Sequence, residues 1–174
     1  MIELLAALAL TAGGGDASVK PWPVGPGPAY RPPALVRDGR PVAGHACREG
    51  GGRFQVHLEL FAHRRVVIVP PGIGVAGGAG CSYPARTRTP TGVVEVAAGA
   101  RLDLGDLFRI WGQPLGAHRL ASFRSDAPVR AYVGGRPVRG PVESVPLEPG
   151  AEIVLELGAY VAPHSSYLFP KGTP

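Results

Sequence analysis

The sequence predicts a mainly β fold: an antiparallel sandwich or partly closed barrel with one short helix at about residues 103–111. Apolar and polar residues alternate over residues 53–61 and again over residues 151–157, which is the two-residue period of a half-buried strand. The chain also contains 26 glycines and 20 prolines, a composition that favours turns and short strands. The alternative is an α+β sheet with the helix on one face, as in β-grasp domains.

Residues 1–17 predict a signal peptide. An apolar run over residues 4–12 has the length of a signal-peptide core, and small residues follow it. The segment before the run departs from the usual pattern, because it contains Glu3 and neither lysine nor arginine. The run is too short to cross a bilayer as a helix, so we expect no membrane span. An apolar strand or a frayed helix is the alternative interpretation.

Residues 18–43 predict a linker, because prolines and glycines recur throughout and prolines remove backbone donors. Such a segment serves as a spacer from a cell surface, or as a ligand for a module that binds proline-rich peptides. Trp22 and Tyr30 are the side chains that could instead dock on the domain. We expect a single β-rich domain over residues 44–174.

Strands are expected on both sides of the helix. In the first half, a hairpin is predicted by residues 53–61, a turn and the β-branched run at residues 65–69. A short piece of strand is expected at residues 73–75. A further strand is predicted at Val93–Ala97. In the second half, residues 129–133, a Gly-Gly turn and residues 136–138 predict a second hairpin, and residues 151–157 predict a further strand. The tail is rich in proline, and its Tyr167, Leu168 and Phe169 are expected to pack as an edge or clasp.

The helix is predicted by an apolar stripe and by its two ends. Four side chains at positions i, i+3, i+4 and i+7 share one face: Leu104, Leu107, Phe108 and Trp111. Asp103 precedes them as an N-cap, and Asp106 adds negative charge in the first turn. Gly112 can adopt the left-handed conformation that ends a helix, and Pro114 prevents its continuation. A helix this short must pack its apolar face on the neighbouring strands.

The charge pattern and the absence of catalytic motifs exclude several functions. The net charge is +5, and basic residues are interleaved with apolar ones, so we expect no nucleic-acid partner. No nucleophile elbow, P-loop or dinucleotide-binding turn is present. The sequence therefore predicts a protein that is not an enzyme and has no cofactor.

Cys47 and Cys81 flank the first hairpin. An even cysteine count in a secreted chain favours a disulfide between them. A metal-binding pair and two free thiols are the alternatives, although no CxxC spacing supports zinc.

His57 is the best single candidate for a binding site, because it lies on the polar face of a predicted strand beside Glu59. A histidine on such a face is ordinarily a surface residue. No two histidines in the chain are two or four residues apart, so no local chelate exists and no metal site is predicted. Distant histidines could still converge, namely His57 with His118 or His164.

Several segments together resemble a family of small, uncharacterised, secreted bacterial proteins. The resemblance covers roughly residues 45–172, and its most specific parts are GIGV with the following cysteine, and LGDLFRIWGQPL. The segments that carry it are VHLELF, VVIVPPGIGV, TGVVEV, LGDLFRIWGQPL, PLEPGAEIVLELG and YLFPKG.

The resemblance implies a lost metal site. Members of the family carry an HxHxHL-type strand and an LHTHD-type segment after the second cysteine, and both elements look like metal sites. This chain reads FQVHL at the first place, where only His57 remains, and YPARTRTP at the second, where Arg86 and Arg88 replace histidines. Guanidinium groups do not ligate metals, so Arg86 and Arg88 could bind an anion instead.

These observations favour a secreted, non-enzymatic binding or structural domain whose ligand and partner are unknown, attached to a cell surface by its proline-rich arm. The alternative is an extracytoplasmic metal-handling protein with a degenerate histidine site.

Overall fold

The structure, a computed structural model, describes residues 30–78 and 80–170. The predicted signal peptide and Trp22 lie outside these residues. In chain order, the regular elements are β1 (Arg53–Ala62), β2 (Arg65–Val67), β3 (Ala85–Arg86), β4 (Val93–Ala97), α1 (Leu104–Trp111), β5 (Leu115–Gly116), β6 (Arg119–Leu120), β7 (Phe123–Arg124), β8 (Arg130–Val133), β9 (Arg136–Pro137), a 3-10 helix (Val142–Ser144) and β10 (Glu152–Leu157).

The fold is mainly β, as predicted. A seven-stranded sheet has the order β3-β4-β1-β10-β8-β9, with β2 paired to the second half of β1, and a small three-stranded sheet has the order β5-β6-β7. The large sheet is mixed, because β1 and β10 are parallel. The predicted antiparallel pairing holds for the other strand pairs of this sheet and not for β1 with β10. The described strands do not close into a barrel.

The helix lies in the connection that joins the two halves of the large sheet, and the parallel strands β1 and β10 come from different halves. The four longest strands run in the order β4-β1-β10-β8, so the first and last of them lie side by side at the centre. The connection between β4 and β8 carries α1, and the side chains of α1 pack against the apolar face of β1 and β10. This is the connectivity of the β-grasp alternative.

Both ends of α1 form as predicted. Asp103 is the N-cap, and its side chain accepts a hydrogen bond from the backbone N–H of Asp106, whose own carboxylate accepts one from the N–H of Asp103. Gly112 ends the helix with φ +80°. Phe108 and Trp111 are fully buried in the main core. The apolar stripe of the sequence therefore packs on the sheet.

Residues 33–37 lie against α1, although the sequence assigns them to the linker. The indole Nε1 of Trp111 donates a hydrogen bond to the carbonyl of Pro33 at 3.0 Å, and the N–H of Leu35 donates one to the carbonyl of Trp111 at 3.2 Å. The Tyr30 ring packs against Phe123 with their centroids 4.9 Å apart. The packed unit thus extends at least to Tyr30, before the expected boundary at residue 44.

Cys47 and Cys81 form a disulfide, with their Cα atoms 5.6 Å apart. The adjacent residues Arg48 and Ser82 exchange backbone hydrogen bonds of 3.0 Å. The cross-link therefore attaches residues 44–52 to the loop that leads into β3, and the predicted pairing is confirmed.

Several short elements were not predicted, among them β3, the small sheet and the 3-10 helix. Residues 73–75 form a turn, with only an isolated bridge between Val75 and Ser82. The tail forms no strand over residues 158–170; Tyr167 packs on the sheet, whereas Leu168 is 93% exposed. In the part of the chain that the structure describes, no helix has both the length and the apolar character needed to cross a bilayer.

Candidate functional site

The candidate site lies on the face of the large sheet that is opposite α1. Side chains alternate between the two faces of a strand, so the residues between the core positions Val56, Leu58 and Leu60 of β1 point to this second face. His57 and Glu59 are two of them. The parallel register places Glu152 of β10 beside His57. A histidine and a carboxylate that are 95 residues apart in sequence are thereby neighbours.

His57 is buried, with only 5% of its surface exposed, so the expectation of a surface histidine is wrong. Its Nδ1 lies 2.6 Å from Oε2 of Glu152, and its Nε2 lies 2.9 Å from the backbone carbonyl of Thr91. The Tyr167 ring stacks on the imidazole, with 3.6 Å between centroids and 11° between planes. The tail of the chain is therefore what removes His57 from solvent.

The partners of His57 decide its protonation. The carbonyl of Thr91 only accepts hydrogen bonds, so Nε2 carries a proton. Burial lowers the pKa of His57, but the hydrogen bond and charge of Glu152, with smaller contributions from Thr91 and Glu59, outweigh it and raise the pKa above its ordinary value. The raised pKa favours the protonated form of His57 in its buried pair with Glu152.

Glu152 has one oxygen in that pair and one without a partner. The residue is 3% exposed, and Oε1 is the single buried side-chain nitrogen or oxygen atom without a hydrogen bond among the described residues. A buried acceptor that is left unsatisfied is unfavourable. The His57 neighbourhood therefore has unused capacity to accept a donor.

Glu59 is paired with the tail. Both oxygens of its carboxylate lie within hydrogen-bonding distance of Nδ1 of His164, at 2.9 and 2.8 Å. The Glu59 side chain is 21% exposed and that of His164 is 68% exposed. His118, the other histidine considered above, lies in a separate shallow cleft with Arg124 and Asp126. His57 and His164 therefore line the same cavity, and His118 lies outside it.

A cavity of about 320 Å³ opens beside these polar groups, and we call it the His57 cavity. It forms where β1 passes between the end of β2 and the start of β4. Apolar residues 66–69 make one wall, residues 90–92 make another, and Val161 and Ala162 of the tail make a third. Its polar side chains are these: His57, Glu59, Thr91 and His164.

Gly92 allows the loop to approach His57. Its φ is +80°, and a Cβ atom at this position would lie 2.5 Å from the carbonyl oxygen of Leu58 and 3.0 Å from Nε2 of His57. No other residue type fits such a backbone approach without a shift. The glycine thus allows the Thr91 carbonyl to reach the imidazole.

Three groups of the site have the chemistry of metal ligands. One ligating atom each of His57, Glu59 and Glu152 lies within 4.8 Å of the other two. A metal ion would need a lone pair on an imidazole nitrogen, but both nitrogens of His57 face oxygen atoms. A metal at this place must therefore displace either Glu152 or the Thr91 carbonyl from His57.

Arg86 and Arg88 lie outside the His57 cavity and bind Glu95 instead. The Nε atoms of Arg86 and Arg88 are 2.7 and 3.3 Å from Oε2 of Glu95. Gln55 of β1 and Arg86 of β3 both pair in register with Glu95 of β4. The strand segment FQVHL and the segment YPARTRTP therefore meet at Glu95, and arginine–glutamate pairs occupy that place.

Arg53 completes this basic cluster. Its guanidinium donates hydrogen bonds to Ser82 Oγ at 2.8 Å and to the carbonyls of Tyr83, Pro84 and Glu95 at 3.2 to 3.3 Å. Burial, followed by the neighbouring charge of Arg86, lowers the pKa of Arg53. Most donors of the cluster are thus used within the protein, which leaves Arg88 as its most exposed member.

The sequence pointed to His57, Glu59 and His164, but not to Glu152 or Thr91. Tyr167 was expected to pack as part of a clasp, but its contact with His57 was not predicted. Glu152 opens a strand with clear alternation, which placed it on the polar face but not beside His57. The parallel register of β1 and β10 is what identifies His57 as the partner of Glu152. Comparisons of the chain with known protein families, with curated proteins and with solved structures each found no match.

Proposed function

We propose that this protein is a non-enzymatic binding domain that works outside the cytoplasm and holds a small, largely apolar ligand in the His57 cavity. The observation that carries this proposal is the cavity itself. Its volume of about 320 Å³ lies within the range of small-molecule sites, and its walls are apolar with a few convergent polar groups.

The disulfide supports a location outside the cytoplasm, because such bonds persist in oxidising compartments and are rare among cytosolic proteins. The predicted signal peptide and the proline-rich arm also support a location outside the cytoplasm. Together they describe a domain that is exported and attached near a cell surface.

The polar groups at the cavity support binding rather than catalysis. Both nitrogens of His57 are engaged by Glu152 and Thr91. A general base must reach a substrate proton with a free lone pair. Groups that are paired with one another instead form a preorganised wall that orients a ligand.

The test is an NMR titration of the full chain with 1-hexanol as an apolar probe. We expect saturable shifts of the amides at residues 66–69, Gly92 and Val161. Ala162→Phe should weaken binding, because its larger side chain fills the cavity mouth. Ala98→Phe is the matched control, since Ala98 is exposed in the turn after β4. Shifts that are absent from the cavity, or unchanged in Ala162→Phe, contradict the proposal.

Metal handling is the second candidate function. The convergence of His57, Glu59 and Glu152 within 4.8 Å favours it. Metal analysis of protein purified without an affinity tag separates the two candidates. A stoichiometric metal that is lost in His57→Ala supports metal handling, whereas metal-free protein that binds 1-hexanol supports the apolar site.

A further inference from the structure

The His57 cavity contains one acidic group whose partner comes from the tail of the chain. We propose that its ligand is an amphiphilic amine, with an apolar body in the cavity and a primary ammonium group that binds Glu59 in place of His164. This inference rests on the proposed function, because it names the ligand class of the same site.

The charges at the cavity favour a cation. Oε2 of Glu152 is engaged by His57, with 2.6 Å between Nδ1 and Oε2. Glu59 remains as the carboxylate that reaches the cavity, and the described residues that line it include no lysine or arginine. The unpaired Oε1 of Glu152 adds negative potential nearby. An anionic ligand would be repelled here.

The Glu59–His164 pair can be exchanged without disturbing the core. His164 is 68% exposed and belongs to a segment without regular structure, whereas Glu59 is held in the central strand β1. Its imidazole Nδ1 lies near both oxygens of the Glu59 carboxylate, at 2.9 and 2.8 Å. An ammonium group has three N–H donors and can occupy the same position.

An ammonium group also suits the site better than a divalent ion. A stable zinc site needs three or four side-chain ligands, and recruiting His57 would break its buried pair with Glu152. An ammonium needs only Glu59 as its counter-charge, while the methylene groups attached to it contact the apolar walls formed by residues 66–69 and Val161.

The experiment compares three probes of equal chain length with the full chain at neutral pH: hexylamine, 1-hexanol and hexanoate. We expect hexylamine to bind about tenfold more tightly than 1-hexanol, because it gains a charge-assisted hydrogen bond, and hexanoate to bind most weakly. Glu59→Gln should remove the preference for the amine over the alcohol. Glu148→Gln, an exposed carboxylate outside the cavity, should preserve the preference.

His164→Ala provides an independent variant. Removal of the competing imidazole should tighten hexylamine binding relative to 1-hexanol binding by about threefold. His118→Ala is the matched control. Equal binding of the three probes in the cavity overturns the amine inference but supports the proposed function. Binding of none of them overturns both, and an amine preference that survives in folded Glu59→Gln overturns the role of Glu59.

Discussion

His57 shows how one side chain acquires its role from distant parts of the chain. The strand pattern places it on the polar face of β1 beside Glu59. Burial and pairing come from elsewhere: Glu152 from β10, the Thr91 carbonyl from the loop before β4, and Tyr167 from the tail. Each of these contacts depends on tertiary structure, so a residue that looks exposed in the sequence becomes a buried ion pair.

The first prediction concerns this pair. His57→Gln should lower the free energy of unfolding by about 3 kcal/mol, because it leaves Glu152 as a buried carboxylate without a compensating charge. Urea denaturation measures the loss, and exposed His118→Gln is the control. The double variant with Glu152→Gln should recover part of it. A loss below about 1 kcal/mol in the single variant would show that the pair is a weak one.

The second prediction is a pH dependence. The pKa of His57 is raised in the folded protein relative to its ordinary value of 6.5, so protonated His57 stabilises the fold. This contribution is fully present below about pH 6.5 and is lost as the pH rises through the folded-state pKa. The stability difference between the native protein and His57→Gln should therefore shrink from pH 6 towards alkaline pH. A difference that grows over this range contradicts the assignment.

At the scale of elements, α1 is stabilised by its own ends as well as by packing. Asp103 and Asp106 form a reciprocal capping box, and Asp106 also receives hydrogen bonds from His45 and Arg109. Burial acts to raise the pKa of Asp106, but these hydrogen bonds outweigh it and lower that pKa. At the other end, a Cβ atom on Gly112 would lie 2.8 Å from the Leu35 side chain. The helix ends therefore also fix the path of residues 30–43.

The third prediction tests the cap. Asp103→Ala should lower the free energy of unfolding by about 1 kcal/mol, because the N–H of Asp106 loses its acceptor. Chemical denaturation measures the change. Asp126→Ala removes an exposed aspartate outside the helix and should be nearly neutral. Equal effects of the two substitutions would show that the cap contributes nothing specific.

At the scale of the whole molecule, the disulfide and the tail hold irregular segments onto the sheet. Cys47–Cys81 attaches the chain before β1 to the loop before β3. The tail contributes Val161 to a second apolar cluster with Phe61, Tyr132 and Val154. The backbone N–H of Val161 donates a hydrogen bond to the buried carboxylate of Glu156. Both faces of the sheet are thus covered, one by α1 and the other by the tail.

The fourth prediction concerns the disulfide. Reduction should lower the free energy of unfolding by about 3–4 kcal/mol, since the bond closes a loop with a sequence separation of 34. Intact mass with alkylation, before and after reduction, establishes the bond, and thermal melts of both forms measure its effect. Two freely alkylatable thiols in protein recovered from an oxidising compartment would refute the pairing.

The fifth prediction concerns metal ions. We expect weak or no binding of Cu²⁺ or Zn²⁺ at neutral pH and no large shift in Tm on adding either ion, because binding through His57 must first break its pair with Glu152 or Thr91. Calorimetry with tag-free protein measures it. A stoichiometric, submicromolar site that disappears in His57→Ala contradicts this prediction.

Much of the local structure could be predicted from the sequence, because its causes lie within a few residues of each other. Alternation identified β1 and β10, the i, i+3, i+4, i+7 stripe and both caps identified α1, and an even cysteine count indicated the disulfide. The strand β3 could not be predicted, because two residues are too few to show an alternation of apolar and polar side chains.

The sequence by itself determined which of the longer segments are strands, where the helix begins and ends, and which residues of those strands are polar. Only the tertiary structure decided that β1 and β10 lie parallel, that Glu152 meets His57, and that the tail covers them. The physical reason is that strand periodicity specifies a face but not a neighbour. Strand order and register are set by how α1 and the whole core pack, and these contacts join residues nearly a hundred positions apart.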